Sequence, residues 1–439
     1  MRSILLIIIC AGLAFAGGLW LGKRQGSHVT DQSAGTIAEN NTPAQGRFRK
    51  ARPTGIESQI DPETLEHVGA IGYLQGYEAA PNGVSVTAHD KQNAFQGLNL
   101  YVSGHAPGAF LINMEGDLLY EWQLPLGDVW PGPLGFMEMD ENKTYWRRAH
   151  LFDNGDVLAI FEGIGMIKVD KNSKLLWAHK GRCHHAVNVT DDGTIYTLAR
   201  HRRTDFEELG FEGPILEDFI LELGADGEER RRISILKAFL DSEYAPLVHA
   251  ATKRRGDIFH SNGIEWIDGR HAERYPMLRK GHILISVLKL NTIAVIDPEA
   301  GRVTWALSGL WREQHDPTVL DDGRIMVFDN LGNGGKSRIL VVDPLTQSVA
   351  WSYRGDAENP FATICCGTNR RLPNGNTLIT ESDSGRAFEV TPEHDIVWEF
   401  WNPHRAGKDD ELIATLFDVI RIPPDRIGVS ADGRDVVFR

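Results

Sequence analysis

Basic excess is what this chain most plainly lacks. Over 439 residues, 60 Asp and Glu outnumber 46 Lys and Arg, giving a formal net charge of −14. No nucleic-acid partner is expected, because no surplus of cations exists to neutralise phosphates. A site for an anionic small molecule would have to gather positive charge locally, against the mean field. Cysteine is also scarce: Cys10, Cys183, Cys365 and Cys366 are too few for a disulfide scaffold and lack zinc-ligand spacing.

Long apolar runs are missing but for one. Ile4 to Gly22 is about 19 residues without a charge, enough to cross a bilayer as a helix. Ala14-Phe15-Ala16 offers a signal-peptidase site, so a cleaved signal is the alternative. Apolar character continues through Leu19, Trp20 and Leu21, which favours an uncleaved signal anchor over residues 1–24. Arg2 precedes the run and Lys23 and Arg24 follow it, so flanking charge does not decide orientation. The expectation is a membrane-anchored protein with its large domain on the extracytoplasmic, periplasmic side. Residues 25–60 are rich in Ser, Thr, Gln, Asn and Pro and read as a flexible linker. Residues 61–82 form a lead-in, with a short helix expected over Glu63 to Gly76.

Glycine (45) and tryptophan (11) are plentiful, which fits many tight turns and repeated aromatic packing. From residue 83 the chain reads as all-β and repetitive, with a period of roughly 45 to 60 residues. Apolar strands such as Met166–Asp170, Ile293–Asp297 and Ile339–Asp343 are each followed by a turn and a strand bearing Trp177, Trp305 or Trp351. Trp305, Trp351 and Trp398 are spaced by 46 and 47 residues. Six such units over 83–425 predict a six-bladed β-propeller, with a pair of β-sandwiches as the alternative. The segment Leu416 to Ile422 is expected to return and complete an N-terminal blade, leaving 426–439 as a C-terminal tail. Inserts at 126–146, 201–217, 236–258 and 268–280 are expected to cover one face. Trp177, Trp305, Trp351 and Trp398 are expected to be core residues that dock blades.

The stretch Gln314 to Asn330 is a hairpin with an Asp321-Asp322-Gly323 turn. Counted from Gly323, His315 stands eight residues before it and Asn330 seven after, side by side at the end away from the turn. Gly97, Gly155, Gly193, Gly281 or Gly269, and Gly375 define the same scale elsewhere. His89, Arg147, His185, a position beside His260, His315 and Gly367 then mark the starts of the inner strands. Gly104, Glu162, Arg200, Leu288, Asn330 and Ser382 mark the ends of the strands that follow. Four histidines and two arginines therefore converge on one mouth of a channel. One such histidine is ordinarily a satisfied structural group; four in register point to a site. Imidazole and guanidinium groups without matching carboxylates suit sulfate or phosphate, and a histidine there can serve as nucleophile, acid or base. A zinc or copper site on three histidines is a lesser alternative, and no metal or cofactor is expected. Cys183 and Cys365 share a register on blades across the axis, too far to bridge. Free thiols, or a vicinal Cys365–Cys366 disulfide, are the remaining readings.

With Phe259-His260-Ser261-Asn262, Ile283–Ser286 running into Asn291–Asp297, Gly301–Trp305, Gln314-His315-Asp316, Phe328-Asp329-Asn330, Leu372–Leu378 and Val397-Trp398-Glu399, the chain resembles the arylsulfotransferase family over residues 83 to 425. The resemblance implies a six-bladed propeller that moves sulfate from a phenolic sulfate ester to a phenol by a ping-pong mechanism through a sulfo-histidine. His315 matches the nucleophile, His260 the histidine that polarises the sulfuryl group, and His185, beside His184, the third. One position departs. The family's sulfate-binding arginine falls where this chain has Leu288, with Lys289 expected on the opposite face of its strand. Arg200 and Arg147 are the candidates to replace it. The expected substrate contacts are thus Arg200, Arg147, His184, Asn330, Lys289 and His89. Leu288 also supports a second reading, a non-catalytic propeller binding an anionic or phenolic ligand or a protein. A quinone-dependent dehydrogenase is a third, opposed by blade number and by the lack of metal-binding carboxylates.

Overall fold

The computed structural model describes residues 80–132, 144–204, 211, 213–251, 255–407, 409–430 and 435–439. The expected anchor, the linker and all but the end of the lead-in, with its helix, lie outside the described residues. Among those described, no helix is long and apolar enough to cross a membrane.

The turn glycines do what the sequence asks of them. In the hairpin of blade 5, Gly323 N–H donates to Leu320 O and Leu320 N–H to Arg324 O, both 2.8 Å, with Gly323 at φ +82°. The same pair of bonds recurs around Gly155, Gly193 and Gly375 in blades 2, 3 and 6. A positive φ at one fixed position makes glycine the natural residue there. Blade 4 keeps the pattern with Gly281, whose N–H reaches Ile267 O at 2.9 Å. The insert 268–280 is spliced into that turn, so it lies at the opposite end of the blade from His260. The other three inserts emerge at the histidine end. One face is therefore not covered by all four, contrary to expectation.

Six sheets form the blades, antiparallel except for the two-residue strand Gly256–Asp257 added in parallel to blade 3. The second and third strands, such as Val157–Phe161 and Ile339 within Lys336–Val342, are almost wholly buried because blades pack on both of their faces. Outer strands keep a polar side, as in Leu175–His179. Leu416–Ile422 does return: it pairs with Leu98–Ser103 and supplies the inner strand of blade 1. Ser85–His89 consequently cannot hold that place. It pairs with Ile396–Trp401 as a fifth, outermost strand of blade 6, with His89 opposite Trp398. His89 is thereby removed from the channel mouth, and its ring faces Glu115 at 3.6 Å.

Tryptophan ties blades 1, 2, 5 and 6 each to the next. Nε1–H of Trp122, Trp177, Trp351 and Trp398 donates to Gly155 O, Ala225 O, Pro392 O and Met114 O respectively, at 2.9 to 3.0 Å. Each acceptor is a turn carbonyl of the following blade, the last bond closing blade 6 onto blade 1. Trp122 and Trp398 are fully buried, whereas Trp177, Trp305 and Trp351 are half-buried seals rather than core. The C-terminal tail forms a small hairpin, Gly428–Val429 with Val436–Val437. It sets Phe438 edge-on to Tyr120 at 5.1 Å and brings Arg439 N–H to Asp153 O at 2.8 Å.

Replacing Trp398 by Ala should cost about 3–5 kcal/mol, because a filled volume and the closing hydrogen bond vanish together. Trp177→Ala, already half in solvent, should cost clearly less. Urea denaturation of both variants checks this; equal losses would contradict the docking account.

Candidate active site

The inner strands of blades 2 to 5 all break register at their first residues. The shifts lie between Trp146 and Arg148, opposite Thr197/Leu198 in blade 3, between Ser261 and Gly263, and between His315 and Thr318. A β-bulge re-aims side chains that strict alternation would send apart. The strain is visible at His185 (φ +61°), His260 (+51°) and Asp316 (+47°), a region non-glycine residues seldom occupy and which tends to mark functional sites. Five residues before each turn stand Arg147, His185, His315 and, in blade 4, Asn262. His260 lies two residues further upstream. In blade 6 the position is Gly367, at φ +99°, where a Cβ would meet the Phe328 ring at 2.6 Å.

The axis is bridged by Arg148. Its Nε donates to His185 O at 2.7 Å, and its guanidinium pairs with Asp418 at 2.9 Å and Asp316 at 3.5 Å. Asn369 N–H and Nδ2–H donate to Asp316 at 3.0 and 2.8 Å, and Asn262 Nδ2–H to Gln314 O at 2.9 Å. Every inner strand is thus held at the mouth by polar bonds to its neighbours.

His185, His260 and His315 are brought together, with His184 behind them. The rings of His185 and His260 meet edge to face at 4.9 Å. His315 Nδ1 lies 2.8 Å from Asn330 Oδ1. Asn330 Nδ2 donates to Thr363 O (3.1 Å) and Cys366 O (2.8 Å), so its oxygen is the end facing His315. Nδ1 of His315 must then carry hydrogen, since an amide oxygen only accepts. Nε2 keeps its lone pair, and both hydrogen bonds of the ring among the described residues fall on Nδ1. Burial drives the His315 pKa well below the ordinary range; the Asn330 bond opposes this, while the charges of His260 and Arg147 push it further down. This imidazole is neutral at neutral pH. Arg147 is itself buried, with its guanidinium 4.8 Å over the Phe417 ring.

His184 is fully buried. Its Nδ1 faces His185 Nδ1 at 2.6 Å and Arg200 Nη2 at 3.2 Å, and its Nε2 lies 3.6 Å from Asp218. Burial and then Arg200 lower its pKa, so it serves as a neutral acceptor that orients His185 and Arg200. Arg200 pairs with Asp218 and Asp257 at 3.8 and 3.7 Å. His260 Nδ1 makes a very short hydrogen bond to Asp257. Burial alone would raise the Asp257 pKa, but His260 and Arg200 outweigh it and hold the carboxyl far below the usual range. His260, Arg200 and Asp257 are the partly exposed members of the cluster.

Two expectations need correction. Basic groups were expected without matching carboxylates, yet Glu162, Asp218 and Asp257 all lie among them. Glu162 sat at a marked position and its oxygen accepts His185 N–H at 3.0 Å. Asp218 stands directly across the strand pair from Arg200, and Asp257 is three residues before His260; neither falls on the turn-based scale. Leu288 was expected on a strand with Lys289 on its other face. The strand instead ends at Val287, and Leu288–Leu290 is a 3-10 turn whose Leu288 N–H reaches His260 O at 3.4 Å. Leu288 is buried there, and Lys289 N–H bonds Phe259 O at 3.0 Å.

Glu162, His184 and His185 have the spacing of a metal-ligand set, their ligand atoms lying within 4.8 Å of one another. Arg200 opposes this, because its cation already occupies the lone-pair side of His184 Nδ1. Cys365 Sγ donates to Asp383 at 3.0 Å, the arrangement of a thiol, and Cys183 is a buried thiol. A cavity of about 740 Å³ opens away from the histidines, at the turn end of blades 3 and 4, beside Tyr196, Glu265, Trp266 and Arg270. Burial pushes the Glu265 carboxyl up to about 8.

The profile of the arylsulfotransferase (ASST) family matches residues 148–403, more than half of the chain, including every histidine of the cluster. The chain belongs to the arylsulfotransferase family. No curated protein matches its sequence. Among solved structures, a protein of unknown function from Bacteroides caccae is 13% identical with a TM-score of 0.47, covering 74% of this chain and 98% of that one. Virginiamycin B lyase from Staphylococcus aureus is 12% identical with a TM-score of 0.36, covering 59% and 70%. Likeness this distant says nothing of activity. In this arylsulfotransferase family member Leu288 lies beside His260, its N–H directed at the His260 carbonyl.

Buried neutral imidazoles make stability depend on pH. Burial lowers His105 to about 3, and His150 and His404 to about 4, from an ordinary 6.5. Between these values the unfolded chain binds more protons than the folded one, so stability is full above about 6.5 and falls as pH drops towards 4. His404→Gln should flatten that slope in denaturation measured from pH 7 to 4. An unchanged slope would contradict the assignment.

Proposed function

We propose that this protein transfers a sulfo group from a phenolic sulfate ester to a phenol through a sulfo-histidine on His315. The observation that supports this most is the bond from His315 Nδ1 to an Asn330 whose orientation is fixed by two carbonyls. It leaves Nε2 as a lone pair on a neutral ring, the state a nucleophile needs. Sulfuryl transfer then asks mainly for alignment and for positive charge around the equatorial oxygens, as phosphoryl transfer does. We assign that stabilisation to His260 and His185, whose rings meet at 4.9 Å, with Arg147 adding positive charge from behind. Arg200 is the residue we assign to the work of the family arginine that Leu288 replaces. It is the partly exposed guanidinium of the cluster, and Asp218 and Asp257 hold it at a distance where an anion can compete. We further propose that Ile4 to Gly22 anchors the domain to a membrane on its extracytoplasmic face; protease treatment of intact spheroplasts that spared the propeller would refute this.

A second reading, a propeller that binds an anionic or phenolic ligand without turning it over, is favoured by Leu288 and by the carboxylates beside His184, His185, Arg200 and His260. The two separate on a chromogenic aryl sulfate with a phenol acceptor. Transfer should be measurable, His315→Ala should reduce it on the order of 10⁴-fold or more, and Arg200→Ala by about 10²- to 10³-fold. No phenol release by the unaltered protein would favour the binder, and undiminished transfer by Arg200→Ala would remove that residue from the sulfate site.

A further inference from the structure

The two imidazoles that flank the reaction centre have different partners on Nδ1. An amide oxygen backs His315 and a carboxylate backs His260. An amide oxygen fixes a tautomer but adds no charge, whereas a carboxylate stabilises the imidazolium. Pairs of titratable groups whose surroundings push them apart divide the acid and base roles between them. We propose that Asp257 is a positioning residue that places hydrogen on His260 Nδ1, making His260 Nε2 the proton donor to the phenolic oxygen as it leaves sulfur. This rests on the sulfuryl transfer proposed above.

The local architecture is built to hold that arrangement. Gly256–Asp257 forms a two-residue strand added in parallel to blade 3, with Gly256 opposite Ile215 and Asp257 opposite Leu216. Beyond it, Ser261 N–H donates to Asp218 at 2.6 Å and starts blade 4. His260 lies between these two anchors in a left-handed conformation (φ +51°), which turns its ring back onto Asp257. Arg200, 3.7 Å from the same carboxylate, keeps it ionised. A positive charge on His260, once it carries the proton to be donated, would in turn disfavour protonation of His315. Proton donor and nucleophile are thus mutually reinforcing.

The step balances. The Nε2 lone pair of His315 attacks sulfur, the sulfur–aryloxy bond breaks, and its electron pair goes to the aryl oxygen. That oxygen takes the proton from His260 Nε2. A donor of charge −1 and an imidazolium of charge +1 become a neutral phenol, a neutral His260 and a sulfo-imidazolium of no net charge, its Nδ1–H still on Asn330. In the second half the acceptor phenol gives its proton to His260 Nε2 as its oxygen attacks sulfur, and the nitrogen–sulfur pair returns to His315.

Phenols differ in how much they need a proton when they leave, and a merely structural residue would not sense the difference. The test uses the full chain and a series of aryl sulfates from 4-nitrophenyl to 4-methoxyphenyl. Asp257→Asn should slow sulfo-enzyme formation about tenfold or less with the nitrophenyl ester but about 10²- to 10⁴-fold with the methoxyphenyl ester, and Asp257→Glu should recover part of the loss. His260→Gln should show the same dependence on leaving group, which keeps the test available if Asp257→Asn does not fold. An equal loss across the series in both variants, or none, would overturn the role of Asp257 while leaving the transfer itself standing. Absence of transfer by the unaltered protein with every donor would instead overturn both.

Discussion

The site depends on one constraint: hairpins in successive blades turn at the same phase around a common axis. A glycine at positive φ ends each inner strand of blades 2 to 6 at one level, and the opposite ends of those strands must then meet at a second level. Arg148, reaching three other inner strands at once, converts that coincidence into a bonded ring. Burying such a charge is tolerable only because its partners are already fixed. The cost of leaving Asp418 unpaired makes the ring self-enforcing. Arg370 and Arg148 hold the Asp418 carboxyl near 2 despite its burial.

On this ring sits a division of labour among chemically identical rings. His184 receives, and orients; His185 is clamped by its backbone and by Glu162; His315 is locked with one nitrogen free; His260 is backed by a carboxylate. What differs is the partner each ring is given, and each partner arrives from a different element: Asn330 from the second strand of blade 5, Asp257 from the strand added to blade 3, Asp218 from the third strand of that blade. The charge of the site is therefore nearly balanced. On the proposed reading an anion would be drawn by geometry and by displaceable pairings rather than by bulk positive field, in a chain whose net charge is −14.

Much of this was legible in the residues. The turn glycines, the Trp spacing and the return of Leu416–Ile422 follow from patterns that every blade repeats, and His185 and His315 fall on the same scale. Ser85–His89 was misplaced because a strand's pattern does not reveal whether it pairs inside or outside. Once Leu416–Ile422 fills the inner position, the edge of blade 6 is what remains for it. The carboxylates escaped for a related reason: Asp218 and Asp257 are set by cross-strand pairing and by a short parallel strand, neither of which has a period. The bulges also left no pattern, and they are what let both His184 and His185 serve the same site. Leu288 was read as strand when the chain there turns away in a 3-10 turn, ended by Asn291 in a left-handed conformation.

The central claim is covalent and can be met directly. A brief reaction with a ³⁵S-labelled aryl sulfate, quenched in alkali and digested, should leave label on the peptide containing His315 and release it when a phenol is added before the quench. Label on another residue, or none while transfer proceeds, would contradict the account.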